Sequence, residues 1–220
     1  MTRSQPGLAE LLAAQEGVIT RRQAGECGLT RDAIGYRIRP GGPWRRLLPG
    51  TFLTVTGQPT TEQLDMAALL YAGPGTILTG LAALRVMDLP GAAGAPARAP
   101  ATREVLLPAT RRRRSVGYVR IIRTTRMPGQ VIRIGRRRYA LPDRALADAV
   151  RGMTELREAR ALTAGAVQRG IVSVDLLRLE LDRGQKAGSA VLRRVLAEMA
   201  EEGRSPMVTA PGARHRTSPR

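Results

Sequence analysis

Near the start of the chain, the apolar and polar positions predict two short helices followed by a hairpin of two strands. Thr20 stands where a helix N-cap belongs, and Gly28 follows that helix as a C-terminal stop. Thr30 begins a second short helix, which the Pro-Gly-Gly-Pro run at residues 40–43 ends. Two strand-like runs, WRRLL and TFLTV, then flank a Pro-Gly turn. This order of elements predicts a winged helix-turn-helix.

The second helix has one apolar face and one polar face. At about 100° per residue, Ile34 and Ile38 fall on the same side and are predicted to face inward. The remaining faces carry side chains suited to DNA contact: Arg31, Asp32, Tyr36, Arg37 and Arg39. In the hairpin, Trp44 is expected in the core, whereas Arg45 and Arg46 are candidates for phosphate contact. A solvated face on a small packing module would give the same pattern.

The next part of the chain predicts more helices. Residues 7–15 form a supporting helix before the pair described above, and residues 60–73 form a longer helix with a Thr cap. After a Gly-Pro-Gly turn, residues 76–89 are predicted to form another helix, with Ile77 on its inner face. Residues 90–101 are rich in Pro, Gly and Ala and predict a loop or linker.

Residues 102–141 predict strands. Short runs rich in Val and Ile alternate in part with Arg. Two arginine segments interrupt these runs and form a candidate second basic patch: Arg111, Arg112, Arg113, Arg114, Arg136, Arg137 and Arg138. Four adjacent arginines cannot all face a core, so the first segment is expected at an exposed turn. The patch could bind a nucleic-acid backbone or an acidic partner, or it could be a solvated hairpin tip.

The chain returns to a helical pattern over residues 142–203. Pro142 and Asp143 suit a helix start, and Ser173 or Asp175 suits the cap of a later helix. The last stretch, residues 204–220, has too little apolar content to fold and predicts a disordered tail.

The predicted fold class is therefore α+β with two domains. A winged helix-turn-helix DNA-binding domain covers residues 1–58. A mixed α/β domain with a small sheet and a C-terminal helical set covers residues 59–203.

The net charge and the choice of basic residues narrow the range of possible functions. The 220 residues carry a formal net charge of +18, which favours polyanionic partners such as nucleic acid. Lys186 is the only lysine among 36 basic residues, a skew that GC-rich coding produces and that weakens arguments from single arginines.

The counts of cysteine and histidine are equally restrictive. Cys27 is the only cysteine, which excludes a cysteine zinc site, and His215, the only histidine, lies in the polar stretch at the end of the sequence, so we expect neither a Ser-His-Asp triad nor a Cys-His pair. We expect a protein that is not an enzyme and has no cofactor. The uncharged run at residues 66–84 is broken by Gly-Pro-Gly, so we expect buried elements, no membrane span and a cytoplasmic location.

The sequence from Gly17 to about residue 84, beginning GVITRRQAGECGLTRDAIGY, resembles the AbiEi family of antitoxins of type IV toxin–antitoxin systems, in its actinobacterial form. The matching positions are Gly17, Thr20, Gly28, Leu29, Trp44, Arg46, Pro49, Gly50, Gly73, Pro74 and Gly75. Downstream, RRYALPDRALADAV is similar to a second family block, with Asp148 at its Asp position. The resemblance covers about residues 7–206. Phe52 departs mildly from the family's usual Tyr, and we expect this protein to lack the Vsr-like endonuclease domain of many relatives.

The resemblance implies a winged helix that binds the promoter of its own operon, and a C-terminal half that counteracts a nucleotidyltransferase-like toxin. The expected partner is double-stranded DNA, with the toxin or its RNA substrate as further candidates and a dimer on DNA as a reasonable arrangement. Two alternatives stay open: an orphan nucleic-acid-binding regulator without a toxin, or an interaction module that neutralises a toxin directly.

Overall fold

The computed structural model describes residues 7–89, 101–184 and 186–202, and these residues form an α+β fold. This confirms the predicted fold class. The helices are α1 (Leu8–Ala14), α2 (Arg21–Glu26), α3 (Arg31–Ile38), α4 (Thr61–Ala72), α5 (Gly80–Arg85), α6 (Pro142–Arg151), α7 (Leu156–Gln168), α8 (Val174–Arg183) and α9 (Ala190–Glu202). The strands are β1 (Val18–Thr20), β2 (Arg45–Leu48), β3 (Thr51–Leu53), β4 (Ile77–Thr79), β5 (Arg103–Pro108), β6 (Val119–Thr124), β7 (Ile132–Ile134) and β8 (Arg137–Tyr139).

The first three helices pack on a small antiparallel sheet with strand order β1-β3-β2. β3 is the central strand, with Val18 opposite Leu53 on one side and Arg45 opposite Leu53 on the other. A separate apolar cluster joins the sheet to the helices: Leu11, Ile19, Ala24, Ile34, Trp44 and Phe52. The burial of Trp44 confirms its predicted place in the hairpin core. The sequence pattern did not predict β1, because three residues are too few to show a period of two.

A second, mixed sheet has strand order β6-β5-β4-β8-β7. Its middle strand corrects a prediction: Ile77 lies in β4, and only Gly80–Arg85 of the expected helix is helical. All three residues of β4 are buried, because helices α4, α5 and α6 pack against it, while β5 and β8 pair with its two edges. A strand covered on both faces is uniformly apolar, so its pattern does not distinguish it from a buried helix turn.

Helix α4 lies between the two sheets. Its side chains are buried on nearly every side, including those of Asp65, Met66 and Leu69. Val18, Leu48 and Leu53 of the first sheet belong to the same apolar core as α4 and the second sheet. The N-terminal elements therefore share a core with the rest of the chain.

The C-terminal helices agree with the sequence prediction. Pro142 occupies the first turn of α6, and Leu146 and Val150 are buried as expected. The Ser173 side chain accepts a hydrogen bond from the Leu176 N–H and so caps α8. Residues 90–100 of the predicted loop and the whole predicted tail, residues 204–220, lie outside the described residues. None of the described helices has the length and apolar character needed to cross a bilayer.

A buried carboxylate, Asp65, joins α4 to three other elements. Its side chain is fully buried and accepts hydrogen bonds from Arg85 in α5, Arg103 in β5 and the Tyr139 hydroxyl in β8, each within 3.0–3.1 Å. Arg103 is itself only 3% exposed. Because water reaches neither side chain, the charges of Asp65 and Arg103 must stabilise each other. Burial raises the pKa of the Tyr139 hydroxyl above its usual range, and the Asp65 carboxylate adds to the shift, so Tyr139 acts as the donor.

A second buried carboxylate, Asp148, connects β4 to α6. It accepts hydrogen bonds from the Thr79 hydroxyl at 2.8 Å, Arg144 at 2.8 Å and Arg151 at 2.7 Å. The side chain of Arg144 also lies near Glu180 of α8, to which Arg126 is paired. Asp148 therefore fixes the C-terminal helices against the sheet.

The carboxyl group of Glu104 on β5 is buried, and its neighbours offset only part of the desolvation cost of its charge. Burial raises the pKa of its carboxyl to about 7; Arg120, 3.0 Å away, opposes that rise without cancelling it. The carboxylate lies against Gly80, where a Cβ would collide with it and where φ is +62°. Glycine is therefore required at the start of α5.

Replacing Asp65 should destabilise the fold strongly. Asp65→Ala leaves Arg103 buried without its counter-charge, so we expect a loss of about 3–5 kcal/mol in the free energy of unfolding. Urea unfolding measures this loss. The matched control is Asp182→Ala, which removes an exposed carboxylate 3.4 Å from Arg193 and should change stability by less than about 1 kcal/mol. Equal effects of the two substitutions would contradict the role assigned to Asp65.

The raised pKa of Glu104 makes stability depend on pH. The folded state holds this proton until about pH 7, whereas the ordinary value is 4.5, so the stabilising contribution is complete below pH 4.5 and is lost as the pH rises through 7. The free energy of unfolding of the wild type should fall by about 3 kcal/mol more than that of Glu104→Gln between about pH 4 and pH 8. Urea unfolding across that range tests this, with the exposed Glu158→Gln as control. A pH-independent difference between wild type and Glu104→Gln would contradict the assignment.

Candidate nucleic-acid interface

The helix pair α2 and α3 is fixed by its caps and turn. The Thr20 hydroxyl accepts from the Gln23 N–H while the Gln23 side chain accepts from the Thr20 N–H, which closes a reciprocal capping box. Gly28, with φ of +88°, makes the turn, and the Thr30 hydroxyl accepts from the Ala33 N–H at the start of α3. The predicted caps and stop are confirmed.

Helix α3 turns one face to the core and the other to solvent. Ile34 is buried and Ile38 packs against the same cluster, as predicted. Three of the predicted contact residues, Arg31, Asp32 and Arg39, are exposed. Tyr36 is 59% exposed, an unusual position for a large aromatic side chain. The Arg39 guanidinium lies 3.8 Å from the centre of the Tyr36 ring, so the two side chains form one stacked surface.

Arg37 differs from its neighbours on α3. It is half-buried, donates to the Ala33 carbonyl at 2.9 Å and lies over the Trp44 ring at 5.7 Å. The Trp44 N–H in turn donates to the Arg37 carbonyl at 2.9 Å. Arg37 therefore connects α3 to the hairpin, and its side chain is less available to a ligand than those of Arg31 and Arg39.

The hairpin of β2 and β3 continues directly from this contact. Arg45 and Arg46 are exposed on β2, and Arg45 donates to the Gln58 side chain at 3.2 Å. Trp44 and Phe52 pack beneath them with ring centroids 6.2 Å apart. The hairpin thus presents two cations beside the C-terminal end of α3.

The second basic patch divides into three environments. Arg137 is buried, 3.0 Å from Glu16, and donates to the Tyr139 hydroxyl, so this member of the candidate patch lies inside the fold. Arg112 and Arg114 are exposed and lie with Arg123 on a shallow surface. The remaining members converge on one cleft: Arg111, Arg113, Arg136 and Arg138.

Two further arginines, which the sequence analysis did not select, line that same cleft. Arg21 and Arg22 open α2, directly after the Thr20 cap. The sequence did contain one indication that these arginines are exposed. Both lie in the first turn of a short helix, where side chains on several sides reach solvent. What the sequence could not indicate is that residues 111–113 and 136–138 approach this helix.

Comparison with known proteins adds no relatives. No protein-family model matches this chain, and no curated protein sequence matches it.

Proposed function

We propose that this protein is a sequence-specific DNA-binding regulator, built on a winged helix-turn-helix in which α3 enters the major groove. The observation that carries the proposal is the stacked pair of Tyr36 and Arg39 on the solvent face of α3. Exposing a large aromatic ring has a solvation cost, which contact with DNA would remove. The Arg39 guanidinium, held against the Tyr36 ring at the residue that follows α3, can bond a guanine edge in two places.

The neighbouring side chains extend this surface in a way that suits a duplex. Arg31 and Asp32 lie in the first turn of α3, the end of a recognition helix that contacts base edges. Arg45 and Arg46 on the hairpin are placed for phosphate oxygens beside the groove. We assign Arg37 a positioning role, because its guanidinium holds α3 to Trp44.

We further propose that the regulator is an antitoxin of the AbiEi type, which represses its own promoter and counteracts a nucleotidyltransferase-like toxin. The support is the resemblance in the first 84 residues and around Asp148. Several matched residues have structural roles in this fold: Thr20 caps α2, Trp44 is buried, and Asp148 binds Thr79 and two arginines. Because these are cap and core positions, the resemblance supports the shared fold more directly than the shared activity.

DNA recognition is tested by binding to the chain's own upstream DNA and to a shuffled duplex over a salt series. Non-specific binding by a protein of this charge falls steeply with salt, so the upstream fragment should keep an advantage of roughly 10³ at physiological salt. Tyr36→Ala and Arg39→Ala should each weaken upstream binding by about 10-fold to 100-fold. The same substitutions should leave the affinity for the shuffled duplex within a few fold of the wild-type value.

The matched control is Arg157→Ala, which removes one exposed cation from α7. It should lower binding to both duplexes slightly and equally. If Tyr36→Ala and Arg39→Ala affect the two duplexes equally, or if the upstream fragment has no advantage at physiological salt, α3 does not read sequence.

The antitoxin role is tested by co-expression with a toxin of the nucleotidyltransferase-like class that the resemblance implies, both from foreign promoters so that repression cannot explain the result. We expect growth to be restored, and the Tyr36→Ala variant to restore it equally, because the family's toxin-counteracting activity lies in the C-terminal half. Failure to restore growth by a folded protein that still binds its upstream DNA would indicate an orphan regulator. Capture of the toxin by the purified protein would favour direct neutralisation.

A further inference from the structure

A cleft of about 1020 Å³ lies between the N-terminal elements and the second sheet. Its walls are the start of α2, the turn between β2 and β3, one side of α4, the turn after α4, and the two arginine segments. This volume is at the upper end of the roughly 300–1,000 Å³ typical of small-molecule sites. The cleft is separate from the exposed face of α3 that carries Tyr36 and Arg39.

The charge of the cleft is of one sign. Of the described residues that line it, none is Asp or Glu, and six are arginines: Arg21, Arg22, Arg111, Arg113, Arg136 and Arg138. Arg22 pairs with Glu26, which lies outside the lining. The others that contact a neighbour contact neutral groups: Arg21 lies over the Phe52 ring, Arg113 over the Tyr71 ring, and Arg111 donates to the carbonyls of Pro74 and Ala72.

The protein's buried arginines have carboxylate partners. Arg103, Arg137 and Arg144 are each paired with an Asp or Glu side chain. The cleft arginines are exposed or half-buried, and no carboxylate stands among the described residues that line the cleft with them. Nε of Arg138 is buried without a hydrogen-bond partner among the described residues, but so is Nε of Arg137, so the feature that sets the cleft apart is its missing carboxylates. A bound anion would supply the negative charge that the lining lacks.

The floor of the cleft is apolar. Met66, Leu69, Leu70 and Tyr71 of α4 line it, beneath the arginines. Inorganic anions would leave this floor in contact with water. A ligand with several negative charges at one end and a flat, weakly polar body at the other would cover both parts of the cleft.

We propose that this cleft binds a nucleotide, with its phosphates on the arginines and its base on the apolar floor of α4. Guanidinium groups bind phosphate oxygens in pairs, and an arginine plane can also cover a base. The nucleotide is either free or part of a single strand, since both present the same chemistry. The site goes beyond the proposed promoter binding, which uses α3 and the hairpin.

The test is calorimetric titration of the full chain with ATP at about 0.15 M salt, where exposed charges are screened beyond about 8 Å. We expect saturation at one ATP per chain, and binding at least about tenfold tighter than that of inorganic tripolyphosphate, because only ATP covers the apolar floor. Arg136→Glu should weaken ATP binding at least about tenfold. Tyr36→Ala should leave it unchanged, which separates this site from the DNA surface.

The matched control is Arg112→Glu, which makes the same change in charge on a neighbouring exposed residue outside the cleft. It should alter ATP affinity by less than about threefold, and thermal unfolding should show both variants folded. Equal weakening by the two substitutions, or equal affinity for tripolyphosphate and ATP, would overturn the proposal. Displacement of ATP by a short thymidine oligonucleotide that binds more tightly and is equally sensitive to Arg136→Glu would support the site and assign it to a single strand.

Discussion

The carboxylate of Asp65 is the constraint on which the arrangement of this protein depends. A charge with no exposure to water must be solvated by its neighbours, and only Arg85, Arg103 and the Tyr139 hydroxyl do so here. These donors come from α5, β5 and β8, so the position of α4 relative to the second sheet is set by a polar network as well as by apolar packing. From Tyr139 the network continues through Arg137 to Glu16, next to β1. The orientation of the N-terminal elements is thereby linked to the centre of the molecule.

The same network shows that part of the arginine content is structural and is not available to a ligand. A net charge of +18 suggests a protein covered in cations, yet Arg103, Arg137 and Arg144 are buried and hold elements together. Arg37 and Arg111 also bind backbone carbonyls, so they are partly used within the fold. The surface available to polyanions is therefore smaller and more localised than composition indicates. Its densest parts are the α3 face with its hairpin, the shallow surface around Arg112, and the cleft.

Local signals predicted much of the fold. Threonine and serine caps, stop glycines and apolar spacing placed α1 to α4 and α6 to α9, because these signals act within a few residues. β1 and β4 were missed because each is only three residues long and leads directly into a helix, α2 or α5, with no loop between, and because β4 is buried on both faces. Arg137 was misassigned within a run of three arginines, although the alternation of a strand places it on the same face as Tyr139. The cleft could not be predicted, since it assembles residues 21–22, 111–113 and 136–138 through tertiary contacts.

Helix α4 has a consequence for how the chain can be divided. Val18, Leu48 and Leu53 belong to the first sheet, but their apolar partners include residues of α4, beyond the predicted boundary after residue 58. A fragment that stops at this boundary would retain all of α3 and the hairpin while exposing one side of their supporting sheet to water. Such a fragment is a poor substitute for the intact protein in solution studies. In the full chain, the shared core holds the α3 face and the cleft at a fixed separation and angle, so a strand or duplex that touches both must match that geometry.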